Sequence, residues 1–435
     1  MKKSLLSITA LCALAGTASA QHTIEFLTPG FLLTDLSLNG AVGCGNVQGD
    51  GSFETFRWTS EGGIVRLGRS TVAVTGTAAG SPDISHDGTR ISATILSSDN
   101  RQTQGIWDQS TEDWFEVFPP MTPDGVISDQ SYASAWGLSG DGSTITGFYY
   151  SNWSGPTRAR PSTWSQSTGV VALPSNAGVS CRVNASNLDG SIVGGWEDHG
   201  GPRWPTVWRN GVKMNVQDAD GGGGGQVYDV NDDGSILAGQ EYSEAVSTRV
   251  ATIWTWNGSA YVMQNIGMLP GTTPGNGQAY FNAIAADGSI AVGSNIYTLS
   301  PQGDRAGIVW TPSNGLMDAT VWIASLGLDS QIPEDMVIRE MTAVSPDGST
   351  ITGIGLSLSA PIPFQSFVIR LAPPPCLGDA DDSLIVDFTD VLITLANFGS
   401  TGAPWGLGDT DGDGDVEFFD ILTTLANFGA NCGAE

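Results

Sequence analysis

Asp409, Asp411, Asp413, Asp415, Glu417 and Asp420 set oxygen donors at alternate places along one short stretch. A twelve-residue calcium loop has this spacing. Ca2+ is a hard cation that takes six to eight oxygens, from side chains at positions 1, 3, 5, 9 and 12 and a backbone carbonyl at 7, with Gly at 6 for the turn. Asp415 would give the carbonyl and Gly414 the turn. Offset by 30 residues, Asp379, Asp381, Ser383, Ile385, Asp387 and Asp390 repeat the spacing, with Ile385 at the carbonyl place. This first loop departs from the pattern twice: Leu384 replaces the Gly, and Ser383 is an uncharged ligand. Ca2+ is expected at the second loop, and the first is left open.

Something must hold these loops. Each is followed by apolar residues at helical spacing, Leu392, Leu395 and Ala396 in the first half and Leu422, Leu425 and Ala426 in the second. Gly399 and Gly429 are natural helix stops. Residues 376–435 hold 10 Asp, 2 Glu and no Lys or Arg. A solvated acidic tail would need neither the duplication nor the apolar faces, and repulsion among so many carboxylates calls for a counterion if the loops are to fold. A stiff linker, residues 373–375 (Pro373-Pro374-Pro375), separates this domain from the rest.

No catalytic constellation stands out in the long remainder. The His residues are His22, His86 and His199, too scattered for a metal cluster. Gly221 to Gly225 lack the Lys of a phosphate-cradling loop. The best candidate cluster is Glu197, Asp198 and His199 between Trp196 and Trp204. Carboxylates can hydrolyse a glycoside, and indoles can stack on sugar rings. The plainer reading is a hairpin loop between the second and third strands of a repeat.

Repeats organise that remainder. Seven Asp-Gly or Asn-Gly pairs, at Asn39, Asp87, Asp141, Asp189, Asp233, Asp287 and Asp347, recur about 50 residues apart. An apolar residue stands three positions before each, except at Ser186, and a Gly five after each turn Gly, except at Ala93. Asp-Gly suits a two-residue hairpin turn. Trp58, Trp107, Trp164, Trp208, Trp254 and Trp310 follow 18 to 22 residues on, with Ile369 in the seventh unit, and read as packing residues. About four strands per unit describe a propeller blade. The seventh unit lacks its fourth strand, so residues 22–28 are expected to supply it and remove an exposed edge.

The fold expected is therefore mainly β: a seven-bladed β-propeller over residues 21–372, then a small all-α calcium-loop domain over 376–435. Gly is 58 of 435 residues and charged residues only 14 %, which suits many short strands and tight turns. The net charge is −28, and nucleic-acid binding is excluded by repulsion of phosphates. Residues 1–20 read as a secretory signal peptide with cleavage after Ala20: Lys2 and Lys3, then an apolar stretch too short to span, then Ala-Ser-Ala. No other segment is long and apolar enough for a membrane span. Cys44 and Cys181 fall in different repeats and are expected to stay unpaired.

The repeat unit resembles the HAF-type extracellular repeat family, without the His-Ala-Phe triplet before the Trp. That resemblance implies export and a β-propeller but no defined chemistry. The two loops with their helices resemble a type I dockerin domain. This resemblance implies calcium-dependent docking, through the helix surfaces of residues 376–432, onto a cohesin-like module or a cell-surface protein. Cys376 and Cys432 bracket the domain and look like a pair; the resemblance implies a disulfide clasp joining its ends. The expected protein is secreted, extracellular or cell-surface associated. It is a non-catalytic propeller binding a glycan or protein ligand. Two alternatives stand beside it: a polysaccharide-degrading hydrolase or lyase carrying the same tail, and a structural cell-envelope protein.

Overall fold

The computed structural model describes residues 21–48, 50, 52–69, 80–98, 101–118, 133–151, 158–216, 224–299, 304–372, 376–381, 383–401, 405–410 and 415–431. The leader with Ala20, the Pro linker, Asp411, Asp413, Gly414 and Cys432 lie outside them. The chain divides into two compact units, one of His22–Leu371 and one that includes Ala372–Glu435.

The first unit is a seven-bladed β-propeller of four-stranded antiparallel sheets. Blade 1 is Phe31–Leu36, Val42–Val47, Thr55–Thr59 and Gly63–Arg66. The next five blades are built in the same order from consecutive strands. They run from Asp83 to Val117, Ala133 to Ala172, Cys181 to Asn215, Gln226 to Gly267 and Gln278 to Asp318. Blade 7 takes Met336–Val344, Thr350–Ser357 and Phe364–Arg370 from the end of the unit and its outer strand, Thr23–Phe26, from the beginning. Leu27 N and Gly30 N extend this seam to the carbonyls of Ser366 and Phe364, both at 2.8 Å. The ring is thus closed by pairing between its two chain ends, and Thr23–Phe26 takes the outer-edge place that each other blade fills from its own segment.

Each Asp-Gly pair lies in the hairpin between the first and second strands, but the turn is not the two-residue form. In blade 3, Gly142 N donates to Ser139 O (2.7 Å) and Ser139 N to Thr144 O (2.8 Å), so four residues make the loop. Only the Gly has positive φ, 64° to 75° over the seven blades. The Asp instead accepts from the backbone two residues on, Ser143 N to Asp141 Oδ1 at 2.8 Å, while Ser139 Oγ accepts from Thr144 N at 2.9 Å. Asn187 and Asn231 replace that Ser in blades 4 and 5 with the same bond. Six blades have a Ser or Asn two places before the Asp or Asn, and its side chain accepts from a backbone N–H of the loop; blade 6 keeps the same loop with Ala285 there, so this bond adds to the loop without choosing it. A true two-residue turn occurs at Asn210-Gly211, where both φ are positive.

The recurrent Trp sits on the third strand and packs between blades. Trp208 and Trp254 are fully buried, as is Ile369 in blade 7. Helix α1 (Ala319–Ser325), between blades 6 and 7, buries Trp322 and Ile323 in the same core as Ile351, Phe367 and Ile369.

The second unit contains helices α2 (Phe388–Ala396) and α3 (Phe418–Ala426), related by the 30-residue repeat. Each acidic loop clamps the end of the other half's helix. Val386 N and O bond to Ala430 O and Gly429 N, and Val416 N and O bond to Ser400 O and Gly399 N, at 2.7 to 2.9 Å. The apolar rows at helical spacing point outward. Phe388, Leu392, Leu395 and Phe398, and their counterparts Phe418, Leu422, Leu425 and Phe428, are all exposed. The helices bury Asp390, Val391 and Thr394, and Asp420 and Thr424, because the inward face holds the loops.

Candidate functional site

The second glycine of the repeat shapes the centre of the ring. A Cβ at Gly195 would lie 2.0 Å from Arg182 O on the blade's inner strand, and Gly45, Gly147 and Gly293 meet a carbonyl in the same way. That close approach coincides with a bulge on the inner strand, at Thr34, Trp136, Asn184, Tyr228 and Asn282, and at two places in blade 7, one of them Thr342. A bulge re-aims a side chain, and these six residues line a central cavity of about 280 Å³. In blade 2, Ala93 stands in place of the Gly and the inner strand pairs only through Asp83 and Ile84, with no bulge.

The acidic residues beside this column, Asp35 and Asp229 after their bulges and Asp83 at the matching place of blade 2, are structural. Asp35 accepts from Ile84 N (2.9 Å), Asp83 from Leu138 N (2.8 Å) and Asp229 from Ile284 N (2.8 Å), each tying its blade to the next. Burial raises the Asp35 carboxyl well above its usual range, and the Asp83 charge adds to this. Burial also pushes Asp229 up to about 7. Both shifts come from removing a carboxylate from water.

One mouth of the channel is closed by the turns themselves. Leu38 N donates to His86 O, His86 N to Gly140 O, Asp141 N to Leu188 O, Leu188 N to Asp232 O, Ala286 N to Pro346 O and Asp347 N to Leu38 O, at 2.8 to 3.1 Å. Asn231 Nδ2 to Ala286 O, at 2.7 Å, completes the circuit through all seven blades. His86 of blade 2 and Asp232 of blade 5 face each other over this mouth, Nε2 to Oδ1 at 3.4 Å.

Three polar atoms along the cavity have no hydrogen-bond partner among the described residues: Trp136 Nε1, Ser186 Oγ and Thr342 Oγ1. With Asn184 and Asn282 they offer amide, indole and hydroxyl groups for a polar ligand.

The Trp196–Trp204 cluster lies in blade 4, on the second and third strands, Ile192–Asp198 and Arg203–Arg209, and the loop between them. Glu197 is fully buried and accepts from Lys213 Nζ (2.8 and 3.0 Å), Asn176 N (2.6 Å) and Asn176 Nδ2 (2.9 Å), with His199 Nε2 also at 2.9 Å. These partners, Lys213 foremost, outweigh burial and hold its carboxyl below the usual range. Asp198 is raised by burial. His199 stacks on Trp204 at 3.6 Å, and Arg203 and Arg182 lie over Trp196 at 4.3 and 5.3 Å. The cluster thus joins two strands to the fourth, and its carboxylate and rings are already engaged.

In the second unit, Asp379, Asp381 and Asp390 bring oxygens within 4.8 Å of one another, a group that could hold a metal ion. Leu384 has φ 65°, the left-handed turn expected of a Gly at that place. Asp379 accepts from Ser383 N and Leu384 N, and Asp390 from Ala380 N, Asp381 N and Asp387 N. Ser383 Oγ reaches Ile385 O at 3.0 Å. Asp387 caps α2 through Thr389 N, which lowers its pKa. The second loop shows the same frame: Asp420 accepts from Thr410 N (2.6 Å) and Glu417 N (2.7 Å), Asp409 is buried, and Asp415 bridges to Thr401.

Cys376 is buried and disulfide-bonded. Cys44 and Cys181 are buried and free. Among the described residues, no helix is long and apolar enough to cross a membrane.

No family model and no curated protein matches the chain. Solved structures do. The oligogalacturonate lyase of Vibrio parahaemolyticus aligns at a TM-score of 0.50 with 13 % identity, over 81 % of this chain and 98 % of that one. The β-propeller domain of the trilobed protease of Pyrococcus furiosus gives 0.44 and 10 %, over 78 % and 93 %. TolB of Acinetobacter baumannii gives 0.42 and 12 %, over 62 % of this chain and 60 % of its own length. At such identities the likeness is one of fold, and the class is the β-propeller.

Proposed function

We propose that the chain is an exported, non-catalytic binding propeller that takes a glycan in its central channel and is tethered through a calcium-binding, dockerin-like second unit. One observation carries the binding reading. The bulge position changes identity from blade to blade, Thr34, Trp136, Asn184, Tyr228, Asn282 and Thr342, while the turn beside it repeats. A column that varies inside a repeated frame, around unpartnered polar atoms, suits recognition of one asymmetric ligand. Entry is from the mouth opposite His86 and Asp232. The leader and the HAF-like Ser-x-Asp-Gly-Ser units support export to the cell surface or beyond.

Calcium is the ion proposed for the second unit. Its donor set is all oxygen, and Leu384 adopts the turn that the loop spacing demands of a Gly. Asp379, Asp381, Ser383, Ile385, Asp387 and Asp390 would hold one ion, and Asp409, Asp411, Asp413, Asp415, Glu417 and Asp420 the other. The two exposed helix rows support docking onto a cohesin-like module.

Glycan-array binding by the full chain, run beside a turnover assay on the same polysaccharides, tests the first half. Binding without turnover is expected, and turnover would replace this reading with the degrading enzyme. Calorimetric titration with Ca2+, repeated after chelation, tests the second. No calcium heat and no change in far-ultraviolet circular dichroism would remove the dockerin-like reading.

A further inference from the structure

We propose that the channel receives the end of a glycan chain, one terminal sugar ring, and not an internal segment. This deepens the channel reading and rests on it. Propeller blades surround a central channel, and a channel open at both mouths would let a polymer pass through the ring. Here the cavity ends at the closed mouth. His86, Gly140, Leu188, Asp232 and Pro346, which take part in the circuit of turn bonds, also line it. Blades 2 and 5 stand on opposite sides of the seven-membered ring, so His86 and Asp232, 3.4 Å apart, meet across its axis. The imidazole is seated against blade 3, where a Cβ at Gly140 would lie 2.5 Å from His86 Nε2. A ligand therefore enters and leaves by one opening.

A single opening favours a chain end. A terminal residue has one glycosidic neighbour, which can trail out of the opening. An internal residue has two, and would enter only if the chain doubled back inside the cavity. The cavity holds about 280 Å³, at the small end of the ~300–1,000 Å³ of ligand pockets, which leaves no room for a doubled chain. Ordering such a bend and stripping water from its hydroxyls would also cost binding energy. A terminal ring keeps the hydroxyl that an internal ring gives up to its second linkage. Asn184, Asn282 and Thr342 line the cavity with donors and acceptors for it.

The test is calorimetric titration of the full chain with cello-, manno-, xylo-, malto- and chito-oligosaccharides of two, four and six units. In the series that binds, affinity should be reached at the disaccharide and gain less than about threefold up to six units. The parent polymer, partly hydrolysed to half its mean chain length, should then bind twice the protein at equal mass, because its ends have doubled. A larger gain with length, or a capacity that follows mass and ignores chain length, would overturn end recognition and leave the channel reading standing. T342W or S186F, whichever keeps the wild-type unfolding temperature, fills the cavity and should lose the disaccharide. A disaccharide still bound by that variant, or no binding by any series, would overturn both.

Discussion

Ile24, near the start of the propeller, lies directly opposite Ile369, near its end, in the antiparallel register of blade 7. In blade 5 the same place on the outer strand is filled by Met263 opposite Trp254, from the blade's own chain segment. The ring is therefore held by a pairing that only forms once every blade is in place. Ile24 and Phe26 pack onto the core that contains Phe367 and Ile369, with the Phe26 and Phe367 rings 5.8 Å apart.

Ile24→Ala is expected to cost about 1–2 kcal/mol, as for a half-buried aliphatic side chain. Deleting residues 22–27 should cost more and expose the edge of Phe364–Arg370 to association. Urea unfolding and light scattering measure both. A deletion with wild-type stability would show that the closure holds nothing.

Gly195→Ala should destabilise by about 1–3 kcal/mol, because the added Cβ meets a backbone carbonyl and not a mobile side chain. It should also disturb the bulge at Asn184 and weaken channel binding. An unchanged urea midpoint would contradict the proposed cause of the bulges.

Much of this architecture was legible because it is written in local chemistry. Asp-Gly turns, the spaced Gly and the third-strand Trp each act within a few residues of their own position, and the missing seventh outer strand pointed to the N-terminal one. The turn type was misread because Asp-Gly was taken to put both residues at positive φ, whereas only the Gly adopts it and the Asp side chain accepts from the backbone two residues on. The cavity was not legible. The bulge residues of its lining, Thr34, Trp136, Asn184, Tyr228, Asn282 and Thr342, come from six of the seven blades, far apart in the chain, and no local motif marks them. Stacking the repeats and asking which column varies would have found them, two places before Leu36, Leu138, Ser186, Val230, Ile284 and Val344.

Asp229 gives the propeller a pH dependence of definite sign. Its folded-state pKa, about 7, lies above the ordinary 3.8. Its contribution is therefore fully present below about pH 4 and is lost as pH rises through 7. The stability of the wild type relative to Asp229→Asn should be greater at pH 4.5 than at 7.5. Urea midpoints of the two proteins at both values measure it, and a constant difference would contradict the assignment.

Cys44 and Cys181 should be inert in the folded protein, since burial raises both thiols. Labelling of the leader-free chain with a thiol reagent should find none in buffer and two in denaturant. Reductant in the denaturant should release two more, if Cys376 pairs with Cys432. Four labelled thiols in denaturant alone would rule that pairing out.

The central claim is that the ring recognises its ligand inside the channel. Thr342→Trp places an indole in that cavity while leaving the blade seams and the second unit untouched. Titrating a glycan that the wild type binds into this variant is the most direct measurement. The account predicts loss of binding at an unchanged unfolding temperature, whereas undiminished affinity would show that the ligand sits elsewhere on the molecule.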